Sequence, residues 1–136
     1  MRLKKLAAGA AIVLAVVLVG CGLTGQLSPP TPESVCAELV TAGIATNCRR
    51  TVPGGAGSRA RERYDFDLVS VPGEGGSVFS FDTDADYDWT VDFYADLALV
   101  SGPHRYGNRD RRIFLQMNKN VPLEAGDRTR AIIEGL

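Results

Sequence analysis

The strongest constraint on what this chain can fold into lies at its start. From Leu6 to Val19 fourteen residues pass without a charge, and Arg2, Lys4 and Lys5 stand just before them. As a helix that run would reach about 21 Å at 1.5 Å per residue, short of a hydrocarbon core of about 30 Å. A permanent span is therefore a poor fit. A positively charged end, an apolar core of this length and a small residue at Gly20 have the form of an export signal, which the mature protein lacks.

The run ends in Leu18, Val19, Gly20 and Cys21, which resembles the lipobox of bacterial lipoproteins. Gly20 leaves the scissile bond accessible, and the Cys21 thiol is the nearby group nucleophilic enough to carry a lipid. The resemblance implies a diacylglyceryl group on Cys21, cleavage after Gly20 and an acylated new amino terminus. It also implies a cell-envelope location outside the cytoplasm, held to the membrane by lipid. Gly22 departs from the Asp often found after the lipidated Cys of lipoproteins retained at the inner membrane, which favours the outer membrane in a Gram-negative cell. The mature segments "VCAELVTAGIATNC", "SGPHRYG" and "FLQMN" are similar to small uncharacterised lipoproteins of Gram-negative bacteria, myxobacteria among them, a similarity that implies no activity.

The chain has three cysteines, and an odd thiol is a liability in an oxidising compartment. Lipidation of Cys21 removes it, leaving Cys36 and Cys48 to pair as a disulfide. Their spacing is not that of the redox motif Cys-x-x-Cys. Removal of residues 1–20 leaves 116 residues, which suits one domain. Loss of Arg2, Lys4 and Lys5 leaves 12 cationic against 16 acidic side chains, a net charge of −4, so composition gives no basic surface for nucleic acid.

Residues 21–33, the lipidated Cys and a Gly-, Ser-, Thr- and Pro-rich stretch, read as a flexible tether, and 34–136 as a single domain. Thr31 and Pro32 carry helix-start signals; Val35, Cys36, Leu39 and Val40 form an apolar face, and Gly43 is a natural stop. Residues 49–63, rich in Arg and Gly, read as a solvated loop, and "GGAGSR" lacks the Gly-Lys-Ser/Thr ending of a phosphate loop. "YDFDLVSV" (64–71) and "SVFSFD" (77–82), joined by "PGEGG", look like a hairpin.

The segment 82–102 is the most unusual in composition. Asp82, Asp84, Asp86 and Asp88 fall on positions one, three, five and seven of a calcium loop, but Tyr87 stands where that loop needs Gly and Phe93 where it needs Glu. These four aspartates are thus a candidate cation site of nonstandard kind, with no metal expected. The simpler reading is a helix capped by Thr83 or Asp84. It would bury Trp89, Phe93, Leu97 and Val100 and turn Asp84, Asp88, Asp92 and Asp96 to solvent.

Beyond Gly102 and Pro103, "YGNRD" reads as a turn, "RIFLQMN" as a strand, and Pro122 opens a last helix with Ala125, Ile132, Ile133 and Leu136 toward the core. Arg105, Arg109, Arg111 and Arg112 are a candidate patch for an anion or a partner. His104, the single histidine, has no Gly-x-Ser-x-Gly elbow beside it and reads as a loop histidine with ordinary hydrogen bonds. No catalytic residues and no cofactor are assigned.

The element order predicts an α+β domain, a two-layer sandwich in which a small antiparallel sheet packs against about three helices. The expected function is a non-catalytic, membrane-anchored envelope lipoprotein that presents a disulfide-stapled domain to another envelope component. The alternative is a ligand- or cation-binding lipoprotein using the Asp-rich segment or the Arg-rich turn; an enzyme ranks third.

Overall fold

The computed structural model describes residues 28–136; the leader, the lipobox and Cys21 lie outside the described residues. The chain first turns at Thr31, whose side chain accepts the Ser34 N–H at 3.1 Å while Ser34 Oγ accepts the Thr31 N–H at 2.9 Å. This reciprocal cap, with Pro32 at the first helical position, starts α1 (Pro32–Thr41). Gly43 ends it at φ +72°, a conformation that costs a glycine little. The Ile44 N–H then reaches back to the Leu39 carbonyl, and both side chains enter the core.

The chain continues as β1 (Ala45–Thr51), a 3-10 turn (Gly55–Gly57), β2 (Glu62–Leu68), β3 (Gly75–Ser80), α2 (Asp84–Asp96), the short α3 (Ala98–Ser101), β4 (Arg105–Asn108), β5 (Ile113–Met117) and α4 (Leu123–Glu134). The strands make one antiparallel sheet in the order β1-β2-β3-β5-β4. This is the α+β class expected from the sequence. Residues 49–63 are not one loop: their first three complete β1 and their last two open β2, because flanking arginines do not prevent an exposed edge from pairing. Asn47, at φ +52°, absorbs a bulge between Thr46 and Arg49 and turns Cys48 toward α1, where it is bonded to Cys36.

Alternation along the strands sorts the core onto two faces. Register places Val78 opposite Leu115 and Phe79 opposite Phe114. Val78, Leu115, Phe66, Leu68 and Met117 meet Val35, Leu39 and Ile133 of α1 and α4. Phe79, Phe81 and Phe114 meet Tyr87 of α2 on the opposite face. The expected sandwich is therefore the sheet with α1 and α4, and α2 adds a partial layer behind it.

Two sequence expectations about burial need correction. Val40 is 45% exposed, because α1 turns Val35, Cys36 and Leu39 inward and leaves Val40 on its rim. The stripe Trp89, Phe93, Leu97, Val100 is not the buried one: Tyr87 and Thr90 are buried, with Val91 and Tyr94 beside them, while Val100 is 77% exposed. The helix breaks at Leu97, and Gly102 ends α3 at φ +79°.

The two ends of the sheet differ. Ser28 and Pro30 share a shallow cleft with Arg111, Gly135 and Leu136, so the chain enters at the end where β5 begins and β4 stops. This near end carries most of the ion pairs together with the exposed Val52, whereas Val69, Leu97, Leu99, Val100 and Leu123 are exposed around the far end. Among the described residues no helix is long and apolar enough to cross a membrane.

Candidate functional site

The β4–β5 hairpin turns through residues 109–112, held by the Asn108 side chain, which accepts the Arg111 N–H at 3.2 Å. Arg112, at φ +52°, and Arg109 are thereby aimed at the first turn of α2. Arg109 grips Asp88 with two bonds of 2.9 Å and reaches Asp84 at 3.2 Å. Arg112 donates to the Asp84 carboxylate and to the Asp82 carbonyl, each at 2.7 Å. From the other side Arg61 lies 3.5 Å from the Asp82 carboxylate, and Arg59 lies 3.8 Å from Asp86. Asp86 also accepts the Thr83 hydroxyl at 2.8 Å, and Thr83 caps α2.

The two candidate patches are thus one belt. Each of Asp82, Asp84, Asp86 and Asp88 has an arginine partner, and among the described residues no three His, Cys, Asp or Glu side chains gather closely enough to hold a metal ion. The arginines do not form a free basic surface. Arg105 donates to the Tyr94 carbonyl and Arg111 to the main-chain oxygen of Leu136 at 3.2 Å, while Arg109 and Arg112 are neutralised by α2. The bond from Arg112, with Arg109 nearby, holds the Asp84 carboxyl below its ordinary range. The Arg109 fork does the same for Asp88, and Arg109 itself is pushed up by the two aspartates.

A second polar cluster lies on the sheet face that α2 leaves open. The Asp65 carboxylate accepts Arg63 at 2.7 and 3.2 Å, Ser77 Oγ at 2.6 Å and Thr51 Oγ1 at 3.0 Å. Burial alone would raise this carboxyl; the bonds from Arg63, Ser77 and Thr51 outweigh it and hold it below its usual range. Next to it Asp67 takes Asn47 at 2.9 Å and Arg49 at 3.0 Å, which lower it likewise. Sequence reading had not singled out these residues. The signal was present, since "YDFDL" alternates and must turn Asp65 and Asp67 away from Phe66 and Leu68.

His104 is 4% exposed and held at both nitrogens. The Val121 carbonyl can only accept, so Nε2 donates to it at 2.9 Å and Nδ1 meets the Tyr106 hydroxyl at 2.8 Å. Helix α4 passes so close that a Cβ on Gly126 would fall 2.6 Å from His104 Nδ1 and 2.7 Å from the Tyr106 oxygen. The ring ties β4 to the loop before α4, the ordinary hydrogen bonding expected of it. No protein-family model, curated protein or solved structure matches this chain, so its function is argued from its own residues.

Proposed function

We propose that this protein is a non-catalytic envelope lipoprotein, anchored through acylated Cys21, that presents a small disulfide-bonded domain to another envelope component. One observation carries the reading: the fold starts at the Thr31 cap, and the buried core draws on no described residue before Pro32. The residues between Cys21 and Thr31 are then available as a tether. Two or three acyl chains meet the two-signal requirement for stable anchoring, whereas a single chain binds reversibly. A ligand or cation seeking Asp82–Asp88 or Arg109–Arg112 would first have to displace the ion pairs between them, which favours presentation over capture.

The test compares wild type with Cys21→Ser after expression in a bacterial envelope. Membrane and soluble fractions are separated and the mature amino terminus is weighed. Wild type is expected to carry acyl mass and to sediment with membranes, and the variant to be soluble and folded. An unmodified Cys21, or equal membrane association of both proteins, rejects the reading.

A further inference from the structure

We propose that the protein forms a parallel two-fold dimer through the flank of α2 and α3 that bears Trp89, Phe93, Leu97 and Val100. At about 100° per residue α2 carries two apolar stripes. Tyr87, Thr90, Val91 and Tyr94 face the sheet. Trp89, Phe93 and Leu97 follow one another at spacings of four, which holds them to one side of α2, roughly a third of a turn round from the first set, and Val100 extends the exposed patch into α3 beyond the break at Leu97. Trp89 and Phe93 stack at 5.2 Å and are half-buried, and exposure rises to 40% at Leu97 and 77% at Val100. This flank overhangs β2 and β1, because Arg59, from the loop between those strands, lies 4.3 Å over the Trp89 ring. The opposite flank is closed by Arg109 on Asp88.

Charge selects the occupant. One edge of the stripe carries Asp92 and Asp96, exposed and, among the described residues, in no ion pair. The other edge carries Arg59, half-exposed and no nearer than 3.8 Å to Asp86, while Arg49 beyond it on the open sheet face is already bonded to Asp67. A second copy related by an axis along the helix sets the apolar stripes together and each acidic edge against the other copy's arginine edge. An axis across the helix would oppose acid to acid, so the pattern specifies the parallel pairing. That pairing also leaves both near ends, where the chains enter at Ser28, on one side. Two copies held in one membrane require this, and the clause rests on the anchored reading above; shared anchoring would raise their effective concentration.

The experiment uses the full chain in the envelope of a bacterial host. Val100→Cys and Leu123→Cys replace side chains of nearly equal exposure, 77% and 76%, on different faces. Mild oxidation should join V100C to itself at least about tenfold more than L123C, because only Val100 approaches its own copy across the axis. In sedimentation of the detergent-solubilised mature protein, Arg59→Asp and Asp92→Arg should each weaken the dimer about tenfold, and together restore it to within about threefold. A monomeric wild type whose V100C pairs no better than L123C overturns the proposal. So does V100C pairing better with Trp89→Cys in mixed expression than with itself, or joining a different protein instead. The mass of the amino terminus separates the two claims: self-pairing of V100C without acylation leaves the dimer standing and the anchor refuted, and acylation without self-pairing does the reverse.

Discussion

The same five strands are closed on their two faces by different means. Under α1 and α4 the seal is volume: Val35, Leu39, Phe66, Val78, Leu115, Met117 and Ile133 have no exposed surface, and the Cys36–Cys48 bond fixes α1 to β1. Under α2 it is four aromatic rings with a charged border. Phe81 meets Tyr87 edge-on at 5.7 Å, Phe79 stacks with Phe114 at 6.3 Å, and Arg109 and Arg112 close the margin. A helix with so many aspartates can cover a sheet because a few rings bury much area, distant arginines pair Asp84, Asp86 and Asp88, and Asp92 and Asp96 face solvent. The consequence is that the first face is governed by packing and the second also by pH.

The largest effect should come from opening the first face. Phe66→Ala removes a fully buried ring beneath α1 and should cost about 3–5 kcal/mol in urea unfolding. A loss below about 1 kcal/mol would mean that this core is not continuous. Next, replacing Cys36 and Cys48 together by Ala releases a constraint across a separation of 12 residues and should cost about 2–4 kcal/mol, read in the same assay. On the second face Phe81→Leu keeps most of the apolar volume and should cost about 1–1.5 kcal/mol; a larger loss than that of Phe66→Ala would invert the ranking of the faces.

The fourth test is pH. Asp84 and Asp88 are held below their ordinary range in the folded protein, so their contribution is present above that range and is lost as pH falls through the depressed values. Amide exchange on acidification should therefore free α2 before α1 or α4, and Arg112→Gln should narrow the interval. Simultaneous release of all three helices would show that the border contributes nothing separate. The smallest effect belongs to Leu99→Ser: at 99% exposure the side chain supports neither face, and unfolding should shift by no more than about 0.5 kcal/mol.

Local chemistry made much of this fold legible. The Thr31–Pro32 start, the stop at Gly43, the β2–β3 hairpin, the strand in "RIFLQMN" and the helix after Pro122 each depend on residues close in sequence. The choice between the two apolar stripes of α2 was not local. Trp89, Phe93, Leu97 and Val100 repeat as regularly as Tyr87, Thr90, Val91 and Tyr94, and only the position of the sheet decides between them. The union of the aspartates with the arginines was likewise hidden, because Arg109 stands 21 residues from Asp88 and Arg112 stands 28 from Asp84.

Helix α2 belongs to an excursion with a narrow neck. The chain leaves β3 after Phe81, whose N–H donates to the Arg112 carbonyl at 3.2 Å, makes α2, α3 and the edge strand β4, and returns at Ile113 to pair β5 with β3. Arg112, bonded to Asp82 and Asp84, ties that neck shut. The edge strand β4 is built into the sandwich, since Tyr106 joins the core beside Ile133 and the Asn108 side chain donates to the Ile133 carbonyl of α4 at 3.1 Å. The excursion thus has two parts: β4, which belongs to the core under α4, and residues 82–101, which bring the second helical layer and the apolar flank. Because loop closure becomes only slowly more costly with length, the part before β4 can be lengthened without parting β3 from β5. Surface diversification in this architecture can therefore be concentrated in one continuous stretch of sequence, while the sandwich beneath it stays fixed.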